Sequence, residues 1–293
     1  SFGAGDGEAV RSRAGQLVWL GAIFSLLLTA LTYFTTGDIL HLVNTPAEIY
    51  EDAYRYIFII FMGSGATILY NLCSGVLRAL GDSRTPLLFL IGAVAINVVL
   101  DIVFMTSLGM GVEGAAYATV ISQAASGLAC LLYIRARVPA LHLRYQHLRP
   151  SLHRMLYISS IGVPMGLQFS ITAVGSIILQ SAVNSLSAGA VAAVSAGARV
   201  HNIMAAPMET AGLTMATYCG QNLGAGRTDR IRKGVMAITW VTIGYSLLAF
   251  AVNYFAGTAI ACLFMDADQT EILAQVHRYL TVNGMAYPLL VLI

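Results

Sequence analysis

The chain has 293 residues, of which 57% are hydrophobic and only 10% charged, with a formal net charge of +2. Soluble domains carry about 25% charged residues, and a mean hydropathy of +0.74 leaves more apolar surface than one aqueous core can hide. The solvent of such a chain is itself apolar, so the expected class is an all-α polytopic membrane protein with lipid around it and no nucleic-acid partner.

A helix needs roughly 20 apolar residues to cross the hydrocarbon core. Eight runs approach that length, at about 14–36, 54–77, 85–107, 111–134, 155–184, 190–219, 234–257 and 272–293. The loops between them alternate in charge. Thirteen of the sixteen basic residues fall in four loops, at 1–13, 78–84, 135–154 and 220–233. If every run crosses once, all four loops lie on one side. The other side collects Asp38, Glu48, Glu51, Asp52, Glu113, Asp266, Asp268 and Glu271, with Arg55 and Arg278 at helix starts. The positive-inside rule places the basic loops in the cytoplasm and the chain in the cell (inner) membrane.

Cys73, Cys130, Cys219 and Cys262 are far apart and lack CxxC spacing, so neither a disulfide framework nor a zinc site is expected. His142, His147 and His153 fit no metal template and are expected on a solvated face of the basic stretch. Small residues such as Gly114, Ala115, Ala116 and Ala118 suit close helix packing in lipid.

The chain also matches itself at an offset of 221 residues. Gly3-Ala4-Gly5 meets Gly224-Ala225-Gly226, Trp19 meets Trp240, and Tyr33-Phe34 meets Tyr254-Phe255. With two residues inserted, Arg55-Tyr56 meets Arg278-Tyr279 and Met62 meets Met285. Six runs separate the two copies, so both run the same way. This is a parallel repeat about an axis along the membrane normal. It implies two lobes of six helices, with this chain holding helices 3–6 of the first lobe (1–134), a cytoplasmic linker (135–154) and helices 7–10 of the second (155–293). The chain opens without Met in a Gly-rich loop and ends inside an apolar run, so it is expected to be part of a longer protein.

Ionisable groups inside a span are costly and are read first as functional. Asp101 follows Asn97 by one turn on the third run. Thr119 lies on the next run, which returns after a short turn, and both residues fall roughly 10 Å below the outer boundary at 1.5 Å per residue. A carboxylate, an amide and a hydroxyl at one depth suit Na⁺ through hard oxygens, or a proton on Asp101. Arg199 and Glu209 share the sixth run, about 15 Å apart along the helix, each expected to face the lobe interior. Gln168 and Thr172 follow Pro164 on the fifth run, where a bent polar face suits a substrate cavity.

These residues resemble multidrug and toxic compound extrusion (MATE) transporters. The resemblance rests on Leu77-Arg78-Ala79-Leu80-Gly81-Asp82-Ser83-Arg84-Thr85-Pro86, on Ile96 to Asp101, and on Gly111 to Thr119. Gly162-Val163-Pro164 and Gly220 to Gly226 add to it. It implies a twelve-helix, two-lobed antiporter, monomeric, exporting cationic or amphipathic small molecules in exchange for Na⁺ or H⁺ without a cofactor. The family's first-lobe cation roles fall on Asn97, Asp101 and Thr119. The seventh helix, where some members carry Glu, offers Gln168. Gln168, Thr172, Arg199 and Glu209 are the candidate substrate-cavity residues. A lipid-linked precursor flippase is the alternative and would need a strongly cationic cavity. An enzyme is not expected, because HExxH, GxSxG and clustered carboxylates are all missing from the sequence.

Overall fold

The computed structural model describes residues 2–42, 45–265 and 269–290. Asp266 and Asp268, counted above on the acidic side, lie outside the described residues, as do Ser1 and Ile293. The described residues form helices α1 (Gly7–Leu42), α2 (Tyr50–Met62), α3 (Ser64–Ala79), α4 (Arg84–Ile102), α5 (Gly111–Arg137), α6 (Leu152–Asn184), α7 (Ala188–Gly224), α8 (Thr228–Ala261), α9 (Thr270–Met285) and α10 (Tyr287–Leu290).

Among the described residues, five helices are long and apolar enough to cross a membrane, or six if α2 and α3 count as one span. This corrects the expected eight. The run at 190–219 is helical, but α7 dilutes its apolar character with Arg199, His201, Asn202 and Glu209, and in the run from 272 α9 stops at Met285, 16 residues long. The run at 54–77 is broken, because α2 and α3 meet at Gly63 with a bend of 44°. A Cβ on Gly63 would stand 2.3 Å from Cγ2 of Val120, so a glycine is needed where the bend presses on α5. Pro164 and Pro207, by contrast, lie inside continuous helices.

The chain divides into two compact units, 1–159 and 160–293. In the first, α5 packs against α2, α3 and α4, while α1 packs against α2 and α3. The buried side of α5 is a row of residues four apart: Gly114, Ala118, Ser122, Ser126, Cys130 and Ile134. Small side chains let the backbones approach, which replaces the missing hydrophobic drive in lipid. Tyr70, Cys73 and Leu77 of α3 join Cys130 and Ile134 in the core. At one end of this unit Arg55 bridges Glu51 at 2.9 Å and Glu113 at 2.7 Å, so α2 and α5 begin on the same side. In the second unit α7, α8 and α9 pack together around Ala193, Val200, Ala261, Val276 and Leu280. Val183 is the buried residue of α6.

The internal repeat is visible in the backbone. Gly5 and Gly226, equivalent by the 221-residue offset, have φ of 71° and 69°. This left-handed conformation favours glycine. Tyr33 and Phe34 meet edge to face at 5.3 Å and 89°, and Tyr254 and Phe255 do so at 5.1 Å and 89°. The break after Met62 also recurs after Met285, where α9 gives way to α10.

The motif at 77–86 has a local cause. Gly81 turns the chain at φ 94°, and Asp82 Oδ1 then accepts the Thr85 backbone N–H at 3.0 Å, opening α4. The Thr85 hydroxyl and N–H hold the Asp82 carboxyl below the usual carboxylate range. Asp82→Ala is expected to cost about 1 kcal/mol at neutral pH, as loss of a helix cap does. A depressed pKa stabilises above the unfolded value near 3.9 and is lost as pH falls through the lower folded value. The difference in melting temperature between wild type and Asp82→Ala is therefore expected to shrink once the pH drops below the carboxylate range.

Candidate cation-binding site

Asn97 projects from α4 and Thr119 from α5 into one cavity of about 80 Å³, with Ser122 and Gln123 beside them. The structure thus brings together two of the three residues chosen by depth. Asp101 follows on α4, and its Oδ1 is buried without a hydrogen-bond partner. Asn97 Nδ2 and Gln123 Oε1 are buried and unpaired in the same way. Buried polar atoms are nearly always hydrogen-bonded, so three unpaired ones on two facing helices need a reason. The Thr119 hydroxyl donates to the Ala115 carbonyl at 3.0 Å, and Ser122 Oγ donates to the Thr119 carbonyl at 2.9 Å. Those bonds use the hydroxyl protons and leave oxygen lone pairs available.

Immediately after Asp101 the helix widens into a π turn, Val103–Ser107. Such turns mark sites where a helix is locally re-aimed. The cavity itself offers two amides and two hydroxyls, with the Asp101 carboxylate one turn further along α4, and such oxygens suit a hard cation rather than a soft metal. No cluster of three His, Cys, Asp or Glu able to hold a metal occurs among the described residues. Sequence reasoning missed Gln123. Its signal was its place one turn beyond Thr119, on the same face of α5.

The four candidate substrate residues are placed differently. Gln168 and Thr172 lie one turn apart on the exposed surface of α6, and the Thr172 hydroxyl donates to the Gln168 carbonyl at 3.0 Å. Arg199 and Glu209 were expected to face the interior of their lobe. Within the second unit both are exposed, and the Arg199 guanidinium lies over the Phe264 ring at 5.6 Å.

A second correction concerns the histidines of the basic stretch. His142 and His153 are exposed, but His147 is only 4% exposed. Its Nδ1 accepts the Arg144 backbone N–H at 2.9 Å, which leaves Nε2 to donate to Glu8 at 3.0 Å. The segment after it is docked on α1. Gln16 Nε2 donates to the Arg149 carbonyl at 2.9 Å, and its Oε1 accepts the Ser151 N–H at 2.8 Å. Trp19 Nε1 donates to the Leu148 carbonyl at 2.6 Å. Glu8, Gln16 and Trp19 lie on one side of α1, so a single helix face holds 147–151.

Long apolar helices, an unsatisfied polar cluster between two of them and a repeated helix break define a multi-pass helical membrane protein built around a buried polar site. The MatE family profile matches residues 1–103 and 164–293, and the chain belongs to that family. It is 35% identical to the probable multidrug resistance protein YpnP of Bacillus subtilis (strain 168), over 71% of this chain and 48% of that protein. It is 26% identical to the probable multidrug resistance protein YoeA of the same organism, over 98% of this chain and 63% of that protein. A solved multidrug resistance MATE family transporter of the MOP superfamily, in an outward-facing conformation, shares the fold. The TM-score is 0.89 at 21% identity, covering 98% of this chain and 64% of that one. The chain thus spans about half to two thirds of the length of these relatives.

Proposed function

We propose that the full-length protein is a secondary antiporter that exports cationic or amphipathic small molecules in exchange for Na⁺ or H⁺. Its first lobe (1–134) carries the coupling site at Asn97, Asp101 and Thr119, joined by Gln123. Its linker (135–154) and other basic loops face the cytoplasm from the inner membrane. The observation that carries this reading is the set of buried, unpaired polar atoms on Asn97, Asp101 and Gln123. A bound cation satisfies Asp101 Oδ1 and Gln123 Oε1, with the Asn97 amide turned so that its oxygen faces the ion, and a proton satisfies Asp101 alone. Occupation changes the free energy of the α4–α5 packing and so biases the lobes between inward and outward states. Gln168, Thr172, Arg199 and Glu209 are the polar groups offered to substrate. The transporter works as a monomer, and no cofactor is required.

The direct test uses full-length protein in liposomes and a fluorescent cationic dye. Efflux is expected under an imposed Na⁺ gradient or an imposed H⁺ gradient, and the effective one names the coupling ion. Dye that moves under neither gradient overturns the antiport reading.

Gln123→Leu separates function from packing. Replacing a buried unpaired amide with an apolar side chain of similar length is expected to leave the melting temperature unchanged or raise it. If the amide oxygen helps to hold the ion, the same variant should weaken cation binding about tenfold, which corresponds to ~1.4 kcal/mol. Isothermal titration with Na⁺ would read the second quantity.

A further inference from the structure

The second unit holds a buried polar cluster unrelated to the residues above. His201 of α7, Asn253 of α8 and Tyr287 at the start of α10 meet in its core, with Asn253 and Tyr287 fully buried. Asn253 Nδ2 donates to the Tyr287 hydroxyl at 2.8 Å. That hydroxyl lies 3.2 Å from His201 Nδ1, and the two rings stack with centroids 5.5 Å apart. Asn253 Oδ1 is buried and has no hydrogen-bond partner. Three helices therefore spend buried polar groups on one imidazole, at the point where α9 breaks into α10.

We infer that His201, Tyr287 and Asn253 form a proton-binding site in the second unit. The hydrogen bonds balance in both protonation states. With neutral His201, the Tyr287 O–H donates to Nδ1 and the hydroxyl oxygen accepts from Asn253 Nδ2. When a proton from water adds to Nδ1, the new N–H donates to the hydroxyl oxygen. The hydroxyl proton swings to the other side, and the Asn253 amide turns over so that Oδ1 accepts it. Each state has two hydrogen bonds on the same heavy-atom positions, because a hydroxyl can reverse direction and an amide presents a donor and an acceptor at similar reach. A phenylalanine, or a leucine in place of the asparagine, would fill the core without this property.

The charges around the imidazole are few. On α7, Glu209 follows His201 by about two turns and is exposed, while the Arg199 guanidinium is engaged over Phe264. Tyr245 of α8 and Tyr279 of α9 flank Tyr287 and bring phenol rings rather than carboxylates or amines to it. The repeat adds a second observation. Asn253 corresponds to Thr32, which is buried, and Tyr287 to Ser64, whose Oγ is buried and unpaired. Both copies thus keep a polar residue at the start of the helix after the break, Ser64 and Tyr287.

The test counts protons rather than transport, so it stands or falls independently of the antiport reading. Full-length protein labelled with ¹⁵N-histidine is placed in liposomes and followed by solid-state NMR between about pH 8 and pH 5, the range in which histidine titrates. One imidazole is expected to have a hydrogen-bonded, unprotonated Nδ1 at the alkaline end and to gain a proton there on acidification. That resonance should vanish in His201→Gln, which should take up roughly one proton fewer per chain than wild type over the same range. Equal proton uptake in the two proteins overturns the site. If His201→Gln does not fold, Tyr287→Phe keeps the ring and removes the hydroxyl. It should displace the same resonance, and an unmoved resonance also overturns the site.

Discussion

Replacing Asp101 with asparagine in the full-length protein is expected to cut gradient-driven dye efflux by about ten- to a hundredfold while leaving the fold intact. The two side chains are close in shape, so the α4–α5 packing around Ala93 and Ser122 should persist. What changes is the charge. Asp101 Oδ1 is buried and unpaired, which is costly unless a cation or proton compensates it. Coupling free energies between sites are typically 1–3 kcal/mol, or roughly 5- to 150-fold in affinity. Asparagine cannot carry a titratable proton and offers a cation a weak dipole, so that coupling is lost. Proteoliposome efflux, alongside a melting curve, checks both halves of the expectation. Normal transport by a folded Asp101→Asn protein would make the aspartate a packing group and would remove the coupling site proposed for the first lobe.

The second large effect is expected at Gly15. A Cβ there would stand 2.1 Å from the His147 carbonyl oxygen and 2.8 Å from its carbon. Those are backbone atoms, which cannot rotate aside, so Gly15→Ala must lift 147–151 from α1. The displaced segment loses the paired bonds of Gln16 to Arg149 and Ser151 and the bond from Trp19 to Leu148. At about 1 kcal/mol each, with Gln16 fully buried and left unsatisfied, the loss is about 3 kcal/mol or more. Limited proteolysis should show the basic stretch cut much faster in Gly15→Ala than in wild type. Equal cleavage would mean that the segment docks through other contacts.

Much of this architecture was legible because its causes are local. Apolar runs, the two Gly-Ala-Gly turns and the one-turn spacing of Asn97 and Asp101 are properties of short stretches, and periodicity reports them directly. The break at Gly63 was not legible. It interrupts a continuous apolar run, and what it accommodates is Val120 on another helix. Nor was the burial of His147, because a basic loop reads as solvated until Glu8, Gly15 and Gln16 of a distant helix close over it. Asn253, Tyr287 and His201 lie 34 and 86 residues from their partners and share no spacing rule.

The sequence by itself determined that the chain is apolar enough for lipid, that it matches itself at an offset of 221 residues, and that Asp101 follows Asn97 by one helical turn. Composition, charge alternation and helical period carry that information because each depends on neighbours within a turn or two. Only the tertiary structure decided which polar atoms are left without partners, where the spans break, and which histidine is enclosed. Those outcomes depend on side chains that meet across helices, where a single methyl group at Gly15 or Gly63 changes what can pack.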